Sequence, residues 1–306
     1  DQWQRYQAGA GPDGAQARQV CGCPSAMFEQ RLHRRRHLQR ERRFEVLDGI
    51  ECGIGCESRQ EHDVRAGLLS PPQTNEVGRS AALLAGLFDL VAASGVRRIR
   101  LLEVGASAGL NLLLDRYAYC GDSWQFGSAD STVQFIDPIE GPVQPEDFMI
   151  TNRAGCDLHP VDATSTEGRL LLTSFVWPFD LDRHKRLSLA LAIAAVHPVH
   201  IDKATASRWL RDALTDELDG LPVVWHSVTQ MYWPREEMSA VEEILSRYGS
   251  RHLLGEVGLE YVADGPRGGK PELRTRLWNP GSGGALRERG LGIAHDHGIP
   301  VTLAGS

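Results

Sequence analysis

Apolar and polar positions fall into a regular pattern only from Gln73 onward. Across Asn75–Ala93, Val77, Ala81, Leu84, Leu87 and Leu90 recur at the spacing of one helical face, which predicts a helix. Thr74 or Asn75 can cap it, Glu76 stands in its first turn where the helix dipole favours an acid, and Gly95 ends it. Arg98–Val104 (RIRLLEV) is a short apolar run that reads as a buried strand. It runs into a glycine turn and then an apolar segment, Leu110–Tyr119, read as a helix. Residues 121–150 mix Gly, Asp, Ser and Pro with short alternating runs, as hairpins or a surface insertion would.

Strands and helices then alternate. Met149–Asn152 reads as a strand leading to Gly155-Cys156-Asp157, Arg183–Val196 as a helix, Val199–Ile201 as a strand ending at Asp202, and Ala204–Leu214 as a helix. Pro222–Val228 is apolar enough for a central strand, Arg235–Tyr248 reads as a helix and Arg251–Val262 as a strand. Glu272–Trp278 alternates with period two, as a strand at the sheet edge would; Leu291–Ile293 and Val301–Leu303 read as antiparallel additions. Residues 1–70 carry weak periodicity, frequent glycines and the arginine-dominated run Arg31–Arg43, and are set apart as a cap or arm before a domain spanning 71–306.

Composition adds bounds rather than chemistry. The 306 residues are 42% hydrophobic and 24% charged, ordinary for a globular protein with a real core. A net charge of -7 argues against nucleic acid or an anionic membrane as the main partner, since both reward a basic surface. The arginine run reads as a solvated helix or arm. No stretch approaches the roughly 20 apolar residues of a membrane helix, and the amino terminus lacks a signal-peptide layout, so a cytoplasmic location is expected. Cys21, Cys23, Cys52 and Cys56 have C-x-C and C-x-x-x-C spacings rather than the usual zinc knuckle, and His295-Asp296-His297 reads as a turn, so no metal is expected.

The glycine turn is the densest chemical signal. In LLEVGASAGLN, Gly105 permits a tight reversal off the strand, Ser107 and Gly109 let a neighbour approach the backbone, and Asn111 opens the following segment. A helix start here would offer unpaired N–H groups to a polar ligand. Glu103 at the strand end would repel a phosphate-rich dinucleotide and attract an amino group, which turns the reading from NAD and ATP towards S-adenosylmethionine. Close packing of helix on strand is the alternative use of the same glycines.

Several blocks resemble a known family. PPQTNEVGRSAALL (Pro71–Leu84), LLEVGASAGLNLLLDRY (Leu101–Tyr117), RAGCDLHPVDATSTEGRL (Arg153–Leu170), FVWP (Phe175–Pro178) and VVWHSVTQMYWP (Val223–Pro234) look like the ordered blocks of the bacterial DUF2332 family. Before about residue 70 the chain departs from that family, with CGCP, the arginine run and ECGIGCES. The resemblance implies kinship; its link to class I methyltransferases rests on the glycine turn and the strand order.

The remaining candidates stand at strand ends, where a doubly wound sheet binds ligands. Asp157 could bind ribose hydroxyls; Asp202 could meet the adenine amino group or cap the next helix. His226 could serve as a general base, or be a packed, hydrogen-bonded histidine. Ser227 ends the same strand beside the cofactor, and Tyr232 could shape a substrate pocket. Asn75, Glu76 and Arg79 could contact cofactor or substrate, or form a cap with a Glu76–Arg79 salt bridge. Arg153 and Asp157 are expected to pair. The fold class expected is therefore α/β, a Rossmann-like doubly wound sheet of the class I methyltransferase type with antiparallel strands added at the carboxyl end and an irregular or helical amino-terminal cap. The function expected is an S-adenosylmethionine-dependent methyltransferase acting on a small molecule, in an unspecified oligomeric state. The alternatives are a hydrolase, lyase or cyclase on the same scaffold, or a non-catalytic ligand-binding protein.

Overall fold

The apolar runs of the sequence assemble into a mixed sheet with helices on both faces. The computed structural model describes residues 74–215, 219–262, 269–282 and 286–304. The expected cap over residues 1–70, its arginine run and Cys21, Cys23, Cys52 and Cys56 lie outside the described residues. The strands are β1 (Arg98–Val104), β2 (Ala118–Cys120), β3 (Gln125–Gly127), β4 (Gln134–Ile136), β5 (Ile139–Glu140), β6 (Met149–Asp157), β7 (Ile201–Lys203), β8 (Leu221–Ser227), β9 (Leu254–Glu260), β10 (Glu272–Trp278), β11 (Leu286–Ala294) and β12 (Val301–Leu303). The α-helices are α1 (Ser80–Ser94), α2 (Thr166–Ser174), α3 (Leu181–Val196), α4 (Ala206–Ala213) and α5 (Arg235–Gly249).

Nine strands form the main sheet in the order β5-β12-β11-β10-β9-β8-β1-β6-β7. From β7 to β9 all pairings are parallel, β10 and β11 are antiparallel to their neighbours, and β5 closes the edge parallel to β12. Side chains alternate across the sheet. Leu101, Val223, Trp225, Val257 and Leu259 face the core shared with α1 and α3. Leu102, Val104 and Val224 face α4 and α5 on the other side.

Helix α1 is buried on nearly every side, including Ala81, Leu83, Leu84, Leu87 and Leu90. Residues 77–94 are long and apolar enough to cross a membrane by length and composition, but the stretch is mostly buried as a core helix. Gly86 sets its approach to the sheet: a Cβ there would collide with Val257 Cγ1. Asp89 on the same helix binds Thr275, Arg287 and Arg289, tying α1 across β10 and β11.

Three expectations are corrected. Helix α1 starts at Ser80 rather than Asn75, after a 3-10 turn over Val77–Arg79 capped by the Glu76 side chain. There the backbone is pressed against the His297 carbonyl, with room only for Gly78. Leu110–Tyr119 is not an α-helix: a kinked 3-10 stretch, Leu110–Arg116, leads into β2. Leu110, Leu112, Leu113 and Leu114 are all buried, so no polar face exists to favour an α-helical stripe, and Tyr117 and Tyr119 hydrogen-bond to Leu110 and Ser80 instead. The hairpin expected around residues 121–150 is present: β3 pairs antiparallel with β2, β4 joins β2 in a separate three-stranded sheet, and β5 joins the main one. Finally, β10 is interior rather than at the edge; its alternation reflects a buried face of Leu273, Thr275 and Leu277 against α1 and a charged face of Arg274 and Arg276.

Candidate functional site

Strand β1 delivers Glu103 to its carboxyl end, and the chain then turns through three positive φ angles, at Gly105 (72°), Ser107 (52°) and Gly109 (71°). Five N–H groups of this turn have partners within the protein. Gly105 and Ala106 donate to the Cys156 carbonyl at 2.9 and 3.0 Å, Ser107 to Asp157 Oδ2 at 2.8 Å, Gly109 to the Ala106 carbonyl at 2.7 Å, and Leu110 to Asn75 Oδ1 at 2.9 Å. The expectation that these groups are offered to a ligand is corrected at each of these residues.

The missing side chains of the turn make room for protein. A Cβ on Gly105 would lie 2.5 Å from Thr229 Oγ1, and one on Gly109 would lie 2.8 Å from Ile201 Cδ1. Gly105→Ala is therefore expected to cost roughly 1–3 kcal/mol, from backbone strain and the displaced Thr229, measured by denaturant unfolding. Gly290→Ala is the control, because nothing lies within 4 Å of its missing Cβ; equal losses at both positions would refute the packing argument.

Glu103 lies between Gly155 of β6 and Trp225 of β8 in the sheet register and is 2% exposed. Burial pushes its carboxyl up to about 8, with Asn111 and Trp225 offsetting part of the rise. Among the described residues neither completes a well-formed hydrogen bond: Glu103 Oε2, Asn111 Oδ1 and Trp225 Nε1 are all buried without a partner there, as is Ser107 Oγ. Such a concentration is unusual, since nearly all buried polar groups in proteins are hydrogen-bonded.

The other predicted residues divide between this locus and separate contacts. Asp157 stands at the end of β6, receiving the N–H groups of Ser107 and His159 at 2.8 Å each. It does not take Arg153 as expected; that guanidinium forks onto Asp115 at 2.6 and 2.8 Å and reaches the Leu112 carbonyl, pinning the 3-10 stretch. Asp202 lies within the edge strand β7, bonded to His200 and Trp209, while Thr205 caps α4. Glu76 turns from Arg79 to Arg183 on α3, at 2.6 Å, because the 3-10 turn breaks the helical spacing that pairing required. Arg79 reaches the Ser227 and Asp296 carbonyls at 3.4 Å each, and its Nε is buried without a partner among the described residues. Tyr232 is exposed, and His295-Asp296-His297 forms the expected turn.

His226 is clamped. Its Nδ1 meets Glu260 at 2.9 Å and its Nε2 meets Glu256 at 3.1 Å, and Arg276 binds both Glu256 and Glu242. Burial alone would lower the imidazolium pKa, but the two glutamates carry it up to about 9. Against its own burial, Glu256 is held at about 2 by His226 and Arg276. His226 is thus charged near neutrality, with neither nitrogen open to accept a proton. The pH consequence has a definite sign. Stability from His226, whose folded pKa is raised, is complete below about 6.5 and lost as pH rises through about 9. That from Glu256, whose pKa is depressed, is present above about 4.5 and lost as pH falls through about 2. His226→Gln is expected to cost about 1–3 kcal/mol between those limits and less in alkali. A stability difference from wild type that does not shrink in alkaline denaturant titrations would refute the clamp. This cluster forms one wall of a groove of about 980 Å³ that also includes Trp233, Tyr261 and Arg274.

Residues 56–302 match a family described as uncharacterized proteins conserved in bacteria, DUF2332. The chain belongs to this family. No curated protein and no solved structure matches it. All five DUF2332-like blocks lie inside the matched span, which begins earlier than Pro71. Within this DUF2332 chain, sequence reasoning missed Arg183, Trp225, Glu256 and Glu260. The two glutamates had a signal: in LGEVGLE, Glu256, Gly258 and Glu260 alternate with Val257 and Leu259, giving β9 one polar face. Arg183 had none, since it opens a helix among other charges and its partner lies 107 positions away.

Proposed function

We propose that this protein binds S-adenosylmethionine at the carboxyl ends of β1, β6 and β8 and transfers its methyl group to a small molecule. The observation that carries the reading is Glu103, a buried carboxyl with no ion-pair partner among the described residues, beside the glycine turn. Numbered in chain order, the parallel strands run 3-2-1-4-5, the order of a doubly wound nucleotide-binding sheet, and Glu103 lies where that order reverses. The residues fit the cofactor at this end: a carboxyl suits an ammonium group, and the occupied N–H groups of the turn disfavour a phosphate. When bound, S-adenosylmethionine supplies an electrophilic methyl group on a sulfonium.

Glu103 would hold the amino group, with Asn111, Ser107 and Trp225 supplying polar contacts around it. Asp157 would meet the ribose from the end of β6, and Asp202 the adenine from β7. His226 would not act as the base; its charge and clamp suit it to hold the β8–β9 ends rigid, so rate would come from positioning. The net charge of -7 accords with a small-molecule acceptor rather than nucleic acid or an anionic membrane, and we place the activity in the cytoplasm. Calorimetric titration with S-adenosylmethionine tests the reading, and no heat of binding at millimolar cofactor would overturn it. Thr229, closed over Gly105, favours as a second reading a scaffold that no longer takes a cofactor, which that outcome would support.

A further inference from the structure

Around Glu76 the described residues gather more positive charge than their carboxylates can neutralise. Arg183 bonds its Oε2 at 2.6 Å and Arg186 stands 3.6 Å from its Oε1. Asp180 meets the same Arg183 at 3.6 Å. Arg79 is the third guanidinium, close enough to feel Glu76 but forming no ion pair among the described residues. Of the other acidic groups near it, Glu260 is engaged by His226 and by the N–H groups of Thr229 and Gln230, and Glu103, which also feels Arg79, is kept uncharged near neutrality by its burial. Among the described residues, Arg79 therefore keeps a buried Nε–H without a partner and only two long bonds from its terminal nitrogens. This excess sits half-buried in a protein whose net charge is -7.

The other groups of this corner leave the excess in place. His297 lies 3.8 Å from Glu76 and 3.5 Å from Arg183. Burial, then the Arg183 charge, holds it below the ordinary histidine range, so it stands there as a neutral imidazole. The position is equally specific: Asn75 binds the Leu110 N–H, and Arg79 binds the carbonyl of Ser227, the last residue of β8. The guanidinium thus borders the crevice assigned above to the cofactor. A guanidinium presents its donors as a planar fork that matches a carboxylate or phosphoryl group.

We propose that Arg79, backed by Arg183 and Arg186, binds an oxyanion, so that the acceptor molecule carries a carboxylate or phosphoryl group. This rests on the methyltransferase reading for the identity of the ligand as acceptor, but not for the site itself. The test titrates the full chain by calorimetry at constant ionic strength with benzoate and phenyl phosphate, with benzylamine as the cationic counterpart. One or both oxyanions should bind saturably, benzylamine should not compete, and Arg79→Gln should weaken the tighter oxyanion by about tenfold. Circular dichroism checks that the variant folds. Should it not, Arg186→Gln, which leaves Arg79 in place, is expected to weaken binding by a smaller but measurable factor. Whichever oxyanion binds more tightly identifies the group. No saturable oxyanion binding, equal binding by folded variant and wild type, or competition by benzylamine would each overturn the inference. The separate titration with S-adenosylmethionine keeps the two readings apart, because either ligand can bind without the other.

Discussion

Glu76→Ala is expected to lower unfolding stability by about 3–5 kcal/mol, the cost of leaving a buried charge without its partner. The Glu76 and Arg183 side chains are 5% and 8% exposed, and their bond joins the cap of the 3-10 turn before α1 to the first turn of α3 across 107 residues. Glu76 also caps the 3-10 turn through the Gly78 N–H at 3.2 Å, and that contact is lost with it. Much of the cost comes from the stranded Arg183 rather than from the net worth of the pair. Glu76→Ala/Arg183→Ala should therefore lose less than the sum of the single losses, and a double-mutant cycle in urea measures the difference. A single loss below about 1 kcal/mol, the range of exposed pairs, would refute this structural role.

That result would also explain why the polar cluster at Asn75, Glu76 and Arg79 looked like a ligand site in the sequence. Two of its three members serve the protein: Asn75 holds the start of the 3-10 stretch and Glu76 holds α3. Arg79 stands outside these pairings and makes two long bonds to the Ser227 and Asp296 carbonyls. A sequence shows that polar residues are crowded at a helix start, but not which distant groups use them. Strands were easier to read. The bounds of β1, β10 and β12 follow directly from apolar content and alternation, because a strand's side chains report its two faces residue by residue. The position of β10 within the sheet did not follow, since alternation reveals a polar face and not whether another strand lies beyond it. Leu110–Tyr119 misled for a related reason: an apolar segment enclosed on all sides carries no period that separates α-helix from 3-10 turns and strand. In the site, Glu103, Gly105 and Gly109 were legible as a turn at a strand end, whereas the closure by Thr229 and Ile201 depends on residues more than 90 positions away.

The affinity for S-adenosylmethionine should be bell-shaped in pH with its maximum near 8, because the carboxyl of Glu103 is held up to about 8 by burial. Below that value the free protein carries a neutral Glu103, and an ammonium group placed against it favours the carboxylate. Binding must then expel a proton, so affinity rises by about tenfold for each pH unit up to the folded pKa. Above about 8 the ligand's own α-amino group loses its proton and the attraction with it. Stability of the free protein runs the other way: as a carboxyl with a raised folded pKa, Glu103 contributes most below about 4.5, and that contribution is lost as pH rises through about 8. Glu103→Gln keeps the shape but cannot ionise. It should weaken the cofactor by at least about 30-fold at the optimum, the lower end of what truncating a buried charged pair costs, and it should remove the rising limb. Calorimetry in buffers of different ionisation enthalpy counts the released proton directly. 5′-Methylthioadenosine, which lacks the amino acid portion, should bind without releasing one. A cofactor affinity flat across the acidic limb, or a limb that survives Glu103→Gln, would show that the amino group does not meet Glu103. The carboxyl would then be a neutral, structural member of the core, and the cofactor reading would lose the residue on which it stands.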